Sequence, residues 1–396
     1  MPFSLRSILK RNHGSGSSDA VNGGIVMGYF TNWSIYDRNY KPHDVPVENL
    51  THILYAFANI NPDDGTVFLS DAWADEQIRH DGQEVPGNAL YGNLGQFLAL
   101  KRRNRHLKLL LSIGGWSYSS NFSAVRDPSR RARFVESAVN LLKNYGLDGL
   151  DIDWEYPESP QDAQVYLELL RDLRRGIDEY AERVKQAPFL LTIAAPCVPS
   201  KIDVLRVREM DEVLDLWNLM AYDFSGSWDQ CANHQANLHG GSISVDAAVS
   251  SFRSKGASPA KLVLGLPLYG RGFDGAKGPG SPYGGVSPGE QEGGVYSYRS
   301  LPHQGSSEEY DSRACAGFSY DPAHGRFITY ESPASAKGKC DYVKHKGLAG
   351  VMFWELSGDA QGERSLVELS AKALRPLDST ENHVDYPESS FDNARK

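Results

Sequence analysis

The chain alternates short apolar runs with longer amphipathic stretches. Eight runs are apolar almost throughout, at 24–30, 52–58, 107–113, 147–154, 189–195, 214–221, 262–267 and 348–354. Continuous rather than alternating apolar character is typical of parallel strands that are buried on both faces. Helical patterns lie between many of these runs, among them 130–145, 163–184 and 245–255. Eight strands that alternate with helices predict an α/β fold, a (β/α)8 TIM barrel.

The interval between the seventh and eighth predicted strands breaks this alternation. Residues 274–344 are rich in Gly, Tyr and Ser, and their pattern indicates turns and short strands rather than one barrel helix. We therefore expect a small α+β domain inserted between strands 7 and 8, on the face formed by the carboxyl ends of the strands. The predicted barrel comprises 22–273 and 345–378, between a disordered tail at 1–21 and a surface tail at 379–396.

The chain has 396 residues and a formal net charge of −9 at pH 7. An acidic protein is a poor match for nucleic acid or an anionic membrane, so we expect neither as a partner. No apolar run reaches eighteen residues, which predicts no membrane span. The one basic run, at 101–108, follows a helical pattern and predicts a solvated helix end.

The four cysteines are far apart, which excludes a short zinc motif and a dense disulfide framework. Cys315 and Cys340 fall in one segment, and both a disulfide and two buried free thiols fit that spacing. Near the N-terminus Arg6 and Lys10 interrupt the apolar positions, so no secretory signal peptide is expected. A disordered tail is favoured there over a transit peptide.

Three acids lie in phase at the end of the fourth predicted strand. Side chains two apart in a strand point to the same face, so Asp151, Asp153 and Glu155 share one side. Asp148 is out of phase and is expected at the strand base, bonded to backbone or to a neighbouring acid. Burying the three carboxylates together raises at least one pKa, as a general acid requires. A divalent-metal site is the competing hypothesis, although no second acid-rich strand supplies its remaining ligands.

Several motifs together resemble a known family. The segment 148–155 (DGLDIDWE) matches the DxxDxDxE signature of the family 18 glycoside hydrolases, the chitinases and their relatives. The segments 111–116 (LSIGGW, with Gly114 and Gly115), 217–223 (WNLMAYD), 265–271 (GLPLYGR) and 350–354 (GVMFW) resemble its third-, sixth-, seventh- and eighth-strand motifs. The resemblance covers residues 24 to about 374 and is strongest to the fungal chitinases of bacterial type.

The resemblance implies a substrate-assisted mechanism that retains configuration and needs no metal or other cofactor. Glu155 would protonate the leaving oxygen, while the N-acetyl carbonyl of the substrate attacks the anomeric carbon and forms an oxazolinium ion. Asp153 would hold the acetamido N–H, and Asp151 would share a proton with Asp153. Tyr222 would donate its hydroxyl to the acetamido oxygen.

The resemblance also implies a set of residues that bind the sugar. Trp354 would form the floor of the −1 subsite, Trp116 and Trp228 would stack on sugar faces, and Glu292 would reach the sugar from the insertion. The full predicted substrate-binding set is Asp223, Met220, Trp354, Trp116, Tyr29, Arg271, Tyr269, Trp228 and Glu292.

The expected function is therefore hydrolysis of β-1,4 bonds in chitin and chitooligosaccharides by a monomer. A chitin-binding lectin of the same fold and an endo-N-acetylglucosaminidase acting on N-glycans are the alternatives. The presence of Glu155, Asp153 and Tyr222 argues against a lectin. The insertion and the Trp-lined cleft favour chitin over N-glycans as the substrate. Without a visible signal peptide, a cytoplasmic or unconventionally released enzyme is expected, with an extracellular location as the alternative.

Overall fold

Eight parallel strands form a closed barrel in the computed structural model, which describes residues 23–80 and 87–395. The predicted tail at 1–21 lies outside the described residues. The first strand pairs with both the second and the eighth, which closes the sheet. The barrel strands are Ile25–Thr31, His52–Ile60, Lys108–Gly114, Gly149–Asp153, Leu190–Pro196, Leu216–Met220, Leu262–Pro267 and Gly350–Trp354. The predicted TIM barrel is confirmed, with strand ends shifted by a few residues.

The strands are apolar throughout because both of their faces are buried. In the fourth barrel strand Leu150 and Ile152 point outward, into the core between the sheet and the helices. Asp151 and Asp153 alternate with them and point into the barrel. The interior therefore combines an apolar lower part with a column of acids that leads to the carboxyl end of the barrel.

The helices cover the outside of the barrel, and the two longest begin at capping residues. Asp127 accepts hydrogen bonds from the main-chain N–H groups of Ser129 and Arg130, and Ser159 accepts one from Asp162. Proline follows both caps, where its missing N–H costs nothing. The helices are Gly92–Arg103, Pro128–Asn144, Pro160–Val184, Pro199–Ile202, Val207–Asp211, Val245–Ser254, Pro333–Lys346 and Leu366–Leu374. A short strand, Val67–Leu69, pairs with the second barrel strand.

A second sheet lies in the chain between the seventh and eighth barrel strands. Its six strands pair antiparallel and are Tyr269–Asp274, Gly285–Val286, Val295–Ser297, Ser307–Asp311, Ala316–Asp321 and Arg326–Tyr330. The sheet begins at Tyr269, two residues after the seventh barrel strand and before the predicted boundary at 274. Helix Pro333–Lys346 then returns the chain to the barrel and extends past the predicted boundary at 344. Tyr269 and Arg271 thus belong to the first strand of this second sheet.

The C-terminal segment is built into the barrel floor, whereas the sequence predicts a surface tail at 379–396. Tyr386 and Ala394 are fully buried. The Asn382 amide donates to the main-chain carbonyls of Lys101, Asn104 and Leu107. The polar composition of this segment predicts exposure to water. Its buried polar groups instead form hydrogen bonds with backbone atoms.

The basic run at 101–108 is likewise less solvated than predicted. Lys101 is fully buried and Lys108 nearly so. Each ammonium meets a carboxylate, Lys101 that of Asp148 at 2.6 Å and Lys108 that of Asp378 at 2.7 Å. A helix end with a buried lysine requires such a partner, and the partners are distant in sequence.

All four cysteines are free thiols, so Cys315 and Cys340 do not form a disulfide. Both of these thiols are buried. Among residues 23–80 and 87–395, no helix is long and apolar enough to cross a membrane.

Candidate active site

The acids of the fourth barrel strand lie at the carboxyl end of the barrel, where the loops of all eight strands converge. Asp151 and Asp153 belong to the strand, and Glu155 follows directly after its end. The main-chain N–H of Glu155 donates a 2.7 Å hydrogen bond to Ser119 Oγ. That bond fixes the backbone from which the Glu155 side chain projects.

Asp151 is surrounded by donors from four other strands. Its Oδ2 accepts hydrogen bonds from Tyr29 Oη at 2.9 Å and Ser112 Oγ at 2.7 Å. Its Oδ1 accepts from Thr192 Oγ1 at 2.6 Å and from the Asn218 amide at 3.0 Å. Burial raises the pKa of Asp151 above its usual value, and these hydrogen bonds offset that effect only in part. Four donors on two oxygens favour the ionised form.

Asp153 is also buried but has a different environment. No donor in the described part of the chain reaches its Oδ1. Burial first, and then the charges of Glu155 and Asp151, hold the pKa of Asp153 well above its usual range. Asp153 is therefore the member of the column that most strongly favours a proton.

Glu155 has the electrostatics of a general acid. Burial first, and then the charge of Asp223, raise the pKa of Glu155 to about 7. Hydrogen bonds from Tyr156 and from the main chain of Trp116 act in the opposite direction. A carboxyl with such a pKa carries a proton in slightly acid solution and is matched to proton transfer there.

Asp223 lies in the loop after the sixth barrel strand, with a left-handed φ of 58°. Its Oδ1 accepts a 2.6 Å hydrogen bond from Tyr269 Oη and a 2.7 Å bond from Arg271 Nε. The Arg271 guanidinium also lies 4.9 Å from the centre of the Trp228 ring. The carboxylate, the phenol and the guanidinium thus form one polar group beside the cleft.

Aromatic rings form the floor beneath the acids. The Trp354 ring meets the edge of Tyr29 at a centroid distance of 5.2 Å and stacks on Phe57 at 5.6 Å. Tyr222 packs against the same cluster, and its ring meets Tyr269 at 6.3 Å. Burial raises the pKa of the Tyr222 hydroxyl well above its usual value, so it remains a donor. Met220 ends the sixth barrel strand and is only partly buried.

Two tryptophans along the cleft are unusually exposed. Trp116 is 75% exposed and Trp228 is 59% exposed. Large exposed aromatic side chains mark binding surfaces when they line a groove. Glu292 is exposed on a loop of the second sheet, where its charge acts on Arg271.

The two motif glycines are required by close contacts. A Cβ on Gly114 would lie 2.2 Å from the carbonyl oxygen of Asp153, and a Cβ on Gly115 would lie 2.5 Å from the Phe57 ring. Both glycines have positive φ values. They let the third strand turn sharply beside the acids.

Asp148 lies at the strand base, as the periodicity predicts, and binds backbone. Its carboxylate accepts from the N–H groups of Leu109 at 2.6 Å and His383 at 2.8 Å. Its third partner is the buried Lys101 ammonium rather than a neighbouring acid. Asp148 therefore joins the barrel floor to the C-terminal segment and lies away from the cleft.

Several residues of the site were not identified as candidates from the sequence. Phe57 supports Trp354, and Ser119 holds the backbone of Glu155. Three further residues, Ser112, Thr192 and Asn218, bind Asp151. The sequence does contain a signal for Ser112, Thr192 and Asn218, because each is a polar residue inside a largely apolar strand.

The described residues contain no cluster of three or more His, Cys, Asp or Glu side chains that could hold a metal ion. Within the acid column, hydrogen-bond donors occupy both oxygens of Asp151. A cation there would meet O–H and N–H groups that point at the same lone pairs.

Comparisons with known proteins agree with this geometry. The family model described as glycosyl hydrolases family 18 matches residues 25–359. Chitinase 1 of Aphanocladium album is 41% identical over 395 residues, which cover 97% of this chain and 91% of that protein.

Among solved structures, chitinases superimpose on this chain. The catalytic domain of psychrophilic chitinase B from Arthrobacter TAD20 superimposes with a TM-score of 0.84 at 30% identity, covering 92% of this chain and 99% of that one. A class V chitinase from Nicotiana tobaccum in complex with NAG4 superimposes with a TM-score of 0.77 at 26% identity, covering 88% and 98% of the two chains.

Proposed function

The chain belongs to family 18 of the glycosyl hydrolases, and on that premise we propose that it hydrolyses β-1,4 bonds between N-acetylglucosamine residues, with retention. It is a glycoside hydrolase, and its substrates are chitin and chitooligosaccharides. The observation that carries the proposal is Glu155, a largely buried carboxyl with a pKa raised to about 7, at the mouth of the barrel.

Glu155 acts as the general acid. In its protonated form it donates its proton to the glycosidic oxygen as the bond to the anomeric carbon breaks. It then takes a proton from the water that completes hydrolysis. Burial supports the first role because it stabilises the neutral carboxyl, and the charge of Asp223 adds to that effect.

The nucleophile is the substrate's own N-acetyl carbonyl oxygen. A protein nucleophile would need a second ionised carboxylate facing the sugar. Both oxygens of Asp151 are occupied by donors, and Asp153 strongly favours its neutral form. An acetamido group attached to the sugar is already in place, which supplies the proximity that such an attack requires.

The remaining residues hold the acetamido group while the ring closes. Asp153 Oδ1 has no donor from the described chain and is available to the acetamido N–H. Its position beside the charges of Asp151 and Glu155 lets a proton move within the column as the oxazolinium ion forms. Tyr222, still protonated because of its burial, donates to the acetamido oxygen.

The exposed tryptophans determine the substrate class. Sugar rings stack on aromatic faces, and the exposed Trp116 and Trp228 offer such faces. The partly buried Trp354 ring closes the floor beneath the reacting sugar. A linear N-acetylglucosamine polymer fits this row of rings better than a branched glycan.

Hydrolysis of chitohexaose tests the proposal. The wild-type protein should release short N-acetylglucosamine oligomers, and Glu155→Gln should lose about a thousand-fold in kcat with its fold unchanged. Glu158→Gln is the matched control, because this nearby glutamate is 78% exposed and should leave turnover unaltered. Cleavage of a high-mannose glycoprotein with no turnover of chitohexaose would instead identify an endo-N-acetylglucosaminidase. Binding without cleavage would identify a lectin.

A further inference from the structure

One fully buried side chain, that of Gln235, joins the loop after the sixth barrel strand to the second sheet. Its amide nitrogen donates to the main-chain carbonyl of Tyr269 at 2.8 Å and to that of Thr329 at 3.2 Å. Its main-chain N–H donates to Thr329 Oγ1 at 3.1 Å. Gln235 thereby connects two neighbouring strands of the second sheet to the loop that carries Asp223.

These contacts lie directly behind the polar group at Asp223. Tyr269, whose carbonyl Gln235 holds, donates its hydroxyl to Asp223. Thr329 pairs in the sheet with Arg271, the second donor to Asp223. The residue after Asp223 is held as well, because the N–H of Phe224 donates to the carbonyl of Gln235 at 2.8 Å.

The orientation of the Gln235 amide is determined by its partners. Both are carbonyl oxygens, so the amide nitrogen rather than the amide oxygen must face them. The amide oxygen, Oε1, is buried and has no hydrogen-bond donor among the described residues. The side chain therefore has one productive arrangement, which fixes the backbone at Tyr269 relative to the loop.

We propose that Gln235 is a positioning residue for Asp223, acting through the main chain of Tyr269 and hence through its hydroxyl. The proposal rests on the proposed function, in which the charge of Asp223 raises the pKa of the general acid Glu155. Without the Gln235 amide, the Tyr269 carbonyl loses its buried donor and the strand moves. The Tyr269 hydroxyl then no longer meets Asp223 at hydrogen-bond distance, and Asp223 is misplaced relative to Glu155.

A double-mutant cycle with Gln235→Met and Tyr269→Phe tests this route. Methionine keeps the length of the side chain but has no donor. We expect each single variant to lower kcat/KM for chitotetraose about ten-fold, and the double variant to lose no more than about two-fold beyond either one. We also expect the alkaline limb of the pH profile to shift in the same direction in both single variants. General destabilisation does not produce that shift.

Thr329→Val is the matched control, because it removes the hydrogen bond to the Gln235 main chain and leaves the amide contacts in place. It should retain at least half of the wild-type kcat/KM. Where Gln235→Met does not fold, Gln235→Asn replaces it, since asparagine keeps the amide but is too short to reach both carbonyls.

Two results would overturn the proposal while the proposed function stands. One is a loss of about a hundred-fold in kcat/KM in the double variant, which would mean that the two single losses multiply. The other is wild-type activity in the Gln235 variant. Failure of the wild-type protein to cleave chitotetraose would overturn the proposed function, and the role of Gln235 with it. The wild-type measurement thus distinguishes the two failures.

Discussion

Thr192 donates a 2.6 Å hydrogen bond to Oδ1 of Asp151, from the strand that pairs with the acidic strand. It is one of four donors that offset the burial of Asp151, and each of them lowers the pKa of that carboxyl. These donors only partly offset burial, which leaves the pKa of Asp151 above its usual value, and the charge of Asp151 in turn raises the pKa of Asp153. The distribution of protons in the acid column depends on residues outside the family signature.

Thr192→Val should therefore move the acid limb of the pH profile of kcat/KM upward. Removal of a donor raises the pKa of Asp151, so the ionised form is lost at a higher pH. We expect about a ten-fold loss of kcat at pH 5, because a hydrogen bond to a charged group contributes about 1.5 kcal/mol or more. Thr192→Ser keeps the hydroxyl and should retain the wild-type limb. An unchanged limb in Thr192→Val would refute this role of Thr192.

Asp223→Asn should move the alkaline limb of the pH profile of activity to lower pH. The charge of Asp223 raises the pKa of Glu155, and asparagine removes that charge. Glu155 then loses its proton at a lower pH, so activity on chitotetraose falls earlier as the pH rises through about 7. Rates measured between pH 4 and 9 for both proteins give the shift. A limb that stays in place or moves upward would contradict the coupling between the two carboxyls.

Much of this architecture follows from sequence pattern alone. Parallel strands buried on both faces are uniformly apolar, so the eight barrel strands were predictable. The C-terminal segment was not, because Asn382 and Tyr386 are buried through hydrogen bonds to backbone atoms 281 and 239 residues away in the chain. The burial of Lys101 could not be predicted for the same reason, because no local sequence pattern shows that its ammonium meets Asp148.

The site was predictable to a similar extent. Strand periodicity placed Asp151 and Asp153 on one face. It did not reveal that hydrogen-bond donors surround Asp151, whereas no donor among the described residues reaches Oδ1 of Asp153. That asymmetry depends on register across the third to sixth strands, where Ser112, Thr192 and Asn218 meet in space. Register is a property of the closed barrel and is not encoded in any short segment.

Gly115→Ala should destabilise the protein and weaken substrate binding together. Gly115 has a φ of 80°, and a Cβ there would meet the Phe57 ring, which supports Trp354. We expect a loss of about 1–3 kcal/mol in the free energy of unfolding and an increase in KM. Gly347→Ala is the control, because it has a φ of 66° with no atom within 4 Å. Equal losses in both variants, with KM unchanged, would show that only backbone strain matters.

Lys101→Met should strongly lower the free energy of unfolding. The change leaves the buried Asp148 carboxylate without its ammonium partner, and breaking a buried ion pair in this way costs about 3–5 kcal/mol. Urea unfolding followed by circular dichroism measures the loss. Lys337→Met removes an exposed ion pair with Asp341 and should change stability little. Similar midpoints for wild type and Lys101→Met would contradict the role assigned to this pair.

We propose that Glu155 supplies the proton and the substrate supplies the nucleophile. The hydrolysis of chitotetraose, compared with that of the fully N-deacetylated tetramer at equal concentrations and at pH 6, tests this division of roles. Chitotetraose should be cleaved rapidly and the deacetylated tetramer not at all, because that tetramer lacks the acetamido carbonyl. Comparable cleavage of both tetramers would place the nucleophile on the protein and refute the proposed mechanism.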